Sequence, residues 1–161
     1  MLTLSGEQIF LRAMEPEDLE FLYELENNEA VWEVSNTITP YSKFVLKQYL
    51  ENSYKDIYEA KQLRLAITGS GNEIYGLVDI YDFDPKNKRA GVGVIIIDAQ
   101  HRNKGIATEA LQLVISYAFT HLELHQLYAN VSEDNSASIK LFSNLAFEQT
   151  GIKKDWNLVS G

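Results

Sequence analysis

Nine consecutive residues, Ala90-Gly-Val-Gly-Val-Ile-Ile-Ile-Asp98, hold no charge until the last position. A strand with one wet face alternates apolar and polar side chains, so an unbroken apolar run belongs to a strand covered on both faces, in the middle of a sheet. From Ile106 the spacing changes. Ala107, Ala110, Leu111, Val114, Ile115, Ala118 and Leu122 recur every three or four residues, the mark of a helix with one buried stripe. A buried strand, the polar link Gln100-His-Arg-Asn-Lys-Gly105 and a helix packed back on the sheet form the unit that the remaining segments must surround.

Residues 8–13 read as a first strand, and Pro16 followed by Glu17 and Asp18 opens a helix whose stripe is Leu19, Leu22 and Leu25. A second helix starts from Ser42 and buries Phe44, Val45, Leu46, Tyr49 and Leu50 on or beside one face, and the polar stretch 27–41 between them reads as a loop. Residues 63–68 and 74–83 are β-type, joined by Gly69-Ser-Gly-Asn72, whose glycines and asparagine accept the positive φ of a hairpin turn. After the turn Asp84-Pro-Lys-Asn87 and the central unit, residues 127–131 give another strand. Asn135 then caps an amphipathic helix through Ile139, Leu141, Phe142 and Leu145, and residues from Phe147 onward read as a last strand. This order predicts a mixed α/β layer fold, not a strictly alternating doubly wound one. At 161 residues, with no repeat, linker or charge block, residues 1–161 are expected to form one domain.

Composition narrows the partners. A formal net charge of −9 repels phosphate backbones and anionic lipid, which argues against nucleic acid and membranes and favours a cationic or amine-bearing ligand. The chain has no cysteine, so a disulfide framework, a thiolate nucleophile and a thiolate metal site are excluded, and a reducing compartment, the cytoplasm, is expected. Neither a secretory leader nor a bilayer-spanning apolar run is visible. His121 and His125 are four apart at the end of a helix, where the dipole favours histidine, and no metal is expected there.

The link before the long helix has its own chemistry. The first turn of a helix leaves N–H groups without partners at the positive end of the macrodipole, so an anion can be held by backbone alone. Gly105 and small Ala107 allow close approach of a phosphate, and Arg102 and Lys104 add charge around it. A P-loop is excluded, because no G-x-x-x-x-G-K run exists. Gly91-Val-Gly93 is no dinucleotide fingerprint, because Ile96 stands where a third glycine belongs and these glycines lie inside the strand; they are expected to mark a bulge or a close approach.

Arg102-Asn-Lys-Gly-Ile-Ala107 resembles the acetyl-CoA pyrophosphate motif, [RQ]-x-x-G-x-[GA], of the GCN5-related N-acetyltransferase (GNAT) superfamily. Residues 133–147, in which Asn135 opens a helix and Ala146-Phe147 closes it, are similar to that family's second CoA segment. The opening, with Leu11-Arg12 and Asp18-Leu19, is similar to the subgroup holding ribosomal-protein and spermidine acetyltransferases. The resemblance implies a GNAT-type mixed, mostly antiparallel sheet with a splayed central strand and about four flanking helices. It implies direct transfer of acetyl from acetyl-CoA to a primary amine, either a small polyamine-like molecule or a protein N-terminus, and leaves a homo-oligomer open. By the same resemblance the pantetheine adds to the backbone of Val94, Ile95, Ile96 and Ile97. The pyrophosphate falls to Arg102, Asn103, Lys104, Gly105, Ile106, Ala107 and Thr108, and Asn135 and Phe142 lie further along CoA.

Two positions depart from the family. The tyrosine that serves as general acid in most relatives is matched here by Phe142, and the glutamate that often stands early on the central strand is matched by Gly91. Both losses favour, as the alternative, a non-catalytic acyl-CoA-binding domain. Substitutes for proton transfer are Tyr128, Tyr81, Asp79 and Asp82. Trp32, Glu33 and Tyr81 are the candidates for the acceptor side, where the spermidine enzymes carry two acids before a Pro-Tyr pair and this chain reads Thr37-Ile-Thr-Pro-Tyr41.

Overall fold

The computed structural model describes residues 4–102 and 104–158, and in them every side chain except those of Glu33 and Ala99. The chain divides into two compact units, Met1–Met14 with Ser53–Phe147 and Glu15–Asn52 with Glu148–Gly161. The first unit holds a five-stranded sheet in the order β1 (Phe10–Ala13), β2 (Leu63–Thr68), β3 (Ile74–Asp84), β4 (Arg89–Ile96) and β5 (Gln126–Tyr128). All neighbours are antiparallel except β4 and β5. This is the mixed, mostly antiparallel arrangement expected.

The hairpin forms where glycine and asparagine announced it: Gly69 N–H donates to Glu73 C=O at 2.9 Å and Asn72 takes φ 63°. The helix α5 (Ile106–Thr120) lays Ile106, Ala110, Leu111, Val114 and Ala118 on one sheet face, against Val78 and Ile80 of β3 and Ala90 and Val92 of β4. Leu111 and Val114 are fully buried. The helix α6 (Ser136–Asn144) starts at the Asn135 cap, whose side-chain oxygen accepts from Ser138 N–H at 3.2 Å, and Phe142 goes into the same core. A short helix, α4 (Ile57–Ala60), capped by Asp56 and closed by Lys61 at φ 59°, leads into β2.

The second unit carries α1 (Leu19–Glu26), α2 (Glu29–Ser35) and α3 (Lys43–Glu51). Before α1, Pro16–Asp18 forms a 3-10 turn in which the Asp18 carboxylate accepts from Glu15 N–H at 2.7 Å. Leu22 and Leu25 of α1 and Leu46 and Leu50 of α3 are buried, and Ser42 caps α3.

Several expectations need correction. The strand expected over residues 127–131 ends at Tyr128, and Phe44 and Val45 of α3 are exposed. Residues 27–41 are not a bare loop, because Asn28 caps a helix that ends at the left-handed Asn36, φ 59°. No strand forms over residues 147–158: 148–158 are all exposed, and a strand that buries nothing has no force to fix its register. The bulge lies in β3, not at the β4 glycines. Pairing slips between Tyr81 and Asp84 with Asp82 at φ 48°, whereas among the described glycines only Gly105 takes positive φ.

Candidate active site

β4 has two unlike edges. Toward β3 the ladder runs from Tyr81–Gly91 to Gly76–Ile96, and Ile97 N–H continues it to Tyr75 C=O at 3.1 Å. Toward β5 it holds for three pairs and stops at Gly91–Tyr128, so the two parallel strands part like a fork. In an antiparallel ladder alternate residues turn their N–H and C=O to the same neighbour. Ile97 faces β3, hence Ile95 and Gly93 do too, and Val94 and Ile96 present their backbone polar groups to the open side of the fork. Of the four residues expected along the pantetheine, the register gives that edge to Val94 and Ile96 and ties Ile95 and Ile97 to β3.

Beyond β4, Ala99–His101 makes one 3-10 turn, His101 N–H donating to Asp98 C=O at 3.0 Å. Gly105, at φ 78°, then swings the chain into α5, and its carbonyl accepts the first helical bond from Glu109 N–H at 3.0 Å. No side chain caps this helix, so the N–H groups of Ile106, Ala107 and Thr108 stand at its positive end with no intrahelical acceptor. Ile106 drops its side chain into the core. Arg102 curls back, Nε donating to Ile96 C=O at 3.3 Å, and thereby links the loop to the open edge of β4. Lys104 is exposed, and Asn103 lies outside the described residues.

Sequence reasoning missed the N-terminal brace of this loop. Gln8 donates from its backbone to Glu109 Oε1 at 3.0 Å and from its amide to Oε2 at 3.2 Å, and a groove lined by Gly6, Gln8, Gly105, Thr108 and Gln112 runs beside the helix start. The partners are 101 residues apart, and no local pattern pairs them.

At the point where the fork closes, aromatic groups gather. The Tyr81 ring lies on Gly91, and a Cβ at that glycine would overlap the ring. Tyr128 meets it edge to face, with centroids 6.3 Å apart. Asn130, two residues beyond Tyr128, lies near enough to the Tyr81 oxygen to lower the pKa of the phenol. Burial, more than the neighbouring Tyr128 and Asp82, pushes the Tyr81 phenol above its ordinary pKa, and Asn130 only partly opposes this. The Tyr128 phenol is raised by burial and then by the charge of Asp82. Gly91 thus marks a close approach, by a ring of the chain itself.

Of the other candidates in this unit, Asp82 lies close enough for its charge to act on both phenols, whereas Asp79 and Phe142 are engaged by other side chains. Asp79 sits directly opposite Arg64 and accepts from its Nε at 2.8 Å and Nη2 at 3.3 Å, a cross-strand pair with both side chains about a quarter exposed. Asp82 is exposed at the bulge. Phe142 is buried edge-on against Phe147, centroids 5.0 Å apart, and offers no hydroxyl. In the second unit the Trp32 indole N–H donates to Glu26 C=O at 2.9 Å, and the side chain of Glu33 lies outside the described set. Replacing Asp79 by Ala is expected to cost about 1 kcal/mol in thermal unfolding, as for other partly screened pairs, and to leave kcat essentially unchanged. A kcat loss of about 100-fold or more would instead make it a proton-transfer group.

Comparison with known proteins agrees with this geometry. A family model described as an acetyltransferase (GNAT) domain matches residues 8–148. The uncharacterized N-acetyltransferase p20 of Bacillus licheniformis is 32% identical over 163 residues, spanning 100% of this chain and 90% of that protein. The spermidine N(1)-acetyltransferase of Escherichia coli K12 is 32% identical over 147 residues, 91% of this chain and 76% of that enzyme. The structure of the Vibrio cholerae spermidine N-acetyltransferase in complex with CoA and spermine is similar, with a TM-score of 0.81 and 25% identity over 91% of this chain and 84% of the other. A family model that matches most of the chain and a relative aligned along its full length place it: the chain belongs to the GNAT family and is an acetyl-CoA-dependent N-acetyltransferase.

Proposed function

We propose that residues 1–161 work as one acetyltransferase domain, in the cytoplasm, and that the acceptor is a small primary amine of the polyamine type. The carrying observation is the continuity of the open β4 edge with the uncapped start of α5, through Gly105 and the Arg102–Ile96 contact. Acetyl-CoA fits it with its pyrophosphate on the N–H groups of Ile106, Ala107 and Thr108 and its pantetheine paired to Val94 and Ile96 as a narrow extra strand. The thioester then lies toward the closed end of the fork. There the neutral amine nitrogen attacks the carbonyl carbon, the C–S bond breaks with its electron pair on sulfur, and the proton lost from nitrogen is returned to the thiolate.

The net charge of −9 and the two spermidine acetyltransferases among the relatives support a cationic acceptor. Free CoA release, followed with a thiol reagent over a panel of polyamines, monoamines and peptide N-termini, tests the reading. Acetylation of the polyamines ahead of the rest is the expected result; preference for peptide N-termini would move the acceptor to proteins. A single observation favours a binding-only domain: the position of the family's usual acid is a buried phenylalanine, Phe142. Tight acetyl-CoA binding with no turnover on any amine would establish that reading instead.

A further inference from the structure

The closed end of the fork is filled by one side chain that crosses it. Tyr81 springs from β3 and passes over β4 at Gly91, with Asn130, on the prong that continues from β5, near its oxygen. Gly91 has no side chain, and that lets the ring lie flat on the strand; from Gly93 the ring edge would be 3.9 Å from a Cβ, ordinary contact. Tyr128, edge-on at 6.3 Å, walls the other side. The Tyr81 ring is therefore held at the closed end of the fork, between Gly91 and Tyr128.

Among the described residues the other proton-bearing group here is Tyr128, but only the Tyr81 ring is seated on Gly91; Gly91 has no side chain, Phe142 is a buried hydrocarbon, and Asp79 is engaged by Arg64. Asp82 is an exposed carboxylate on the bulge.

We propose that Tyr81 is the catalytic acid of this enzyme, donating its phenolic proton to the sulfur of the departing CoA, and that Asn130 is the positioning residue that aims it. The inference rests on the acetyl-transfer reading above. As the C–S bond breaks, the electron pair stays on sulfur and takes the Tyr81 proton; the phenolate recovers a proton from the amide nitrogen being formed, so the net transfer is one proton from nitrogen to sulfur. Burial keeps the phenol protonated at neutral pH, which suits an acid and not a base. The glycine at 91 and the phenylalanine at 142 are then no longer two independent losses. The space opened at 91 admits a phenol from another strand, which takes over the work that 142 does not do.

Tyr81→Phe keeps the ring on Gly91 and removes only the hydroxyl. Its kcat should fall about 100-fold or more, within the usual range for a lost general acid, while acetyl-CoA still stabilises the protein against heat as in wild type. Asn130→Ala, at an exposed position, should lower kcat with an unchanged KM for acetyl-CoA, a split that a purely structural role would not give. If Tyr81→Phe disturbs folding, a fluorinated tyrosine incorporated at 81 is nearly isosteric and loses its proton at lower pH, so it should move the alkaline limb of kcat to lower pH. Wild-type kcat in Tyr81→Phe, or an unmoved limb with the fluorinated residue, would overturn the assignment and leave the acetyltransferase reading intact. Absence of turnover in wild type would overturn that reading itself.

Discussion

Gly105→Val is expected to give a folded protein that acetyl-CoA no longer stabilises. The reason is conformational and not steric. A Cβ at Gly105 would meet only Gln8 Nε2, at 3.7 Å, an ordinary contact, but the residue sits at φ 78°. A β-branched residue there costs about 1–2 kcal/mol or re-routes the turn. Re-routing re-aims the N–H groups of Ile106, Ala107 and Thr108, and losing two hydrogen bonds to a charged pyrophosphate removes about 3 kcal/mol, roughly 100-fold in Kd. With acetyl-CoA at about 100 times the wild-type Kd, ligand stabilisation drops from about 2.7 to about 0.4 kcal/mol, some 5–9 °C of Tm shift. Differential scanning fluorimetry with and without acetyl-CoA reads both numbers. Gly105→Ala should lie between the two. A wild-type ligand shift in Gly105→Val would remove the pyrophosphate from this helix start.

What could be read in advance was what a single stretch of chain decides for itself. The period from Ile106, the Gly69–Asn72 turn and the Asn135 cap are each fixed by sterics or hydrogen bonding within a few residues, and each stands where it was expected; the apolar run 90–98 gives a strand that ends at Ile96 and is only half-buried from Gly93 onward. The helix α2 carried a signal that went unread, asparagine at both ends, one capping and one left-handed. The closed end of the fork carried no such signal. Gly91 looked like a place where something thin passes, but nothing in the spacing says that it is the Tyr81 ring, because that contact exists only after the strands have paired. In the same way Asp79 reads as a free strand carboxylate until β2 sets Arg64 opposite it. The proposed donor site is thus mostly local in sequence, and the proposed proton donor is not.

The β3–β4 ladder makes the second large effect predictable. Gly76 lies opposite Ile96, and a Cβ placed on it would overlap the Ile95 carbonyl oxygen and lie 3.0 Å from Ile95 C and 3.1 Å from Ile96 Cα. All three are backbone atoms of β4, so no rotamer change relieves the clash and the strands must separate. Gly76→Ala is therefore expected to cost about 3 kcal/mol, the upper end of ordinary overpacking, and to lower Tm by about 10 °C. The damage falls where the donor is expected to lie, because the same segment turns Val94 and Ile96 to the open edge. Amide exchange at Ile95 and Ile97 should quicken more than in α5, and acetyl-CoA affinity should fall with it. Gly91→Ala provides the contrast: its Cβ meets only Tyr81 ring atoms, a side chain that can swing away. That variant should stay near wild-type stability and lose turnover, since the phenol leaves the fork. If Gly76→Ala unfolds like wild type, the close approach of β3 to β4 is not what holds this edge in place. If the two glycine variants fail alike, stability and proton transfer are not separable along β4 in this way.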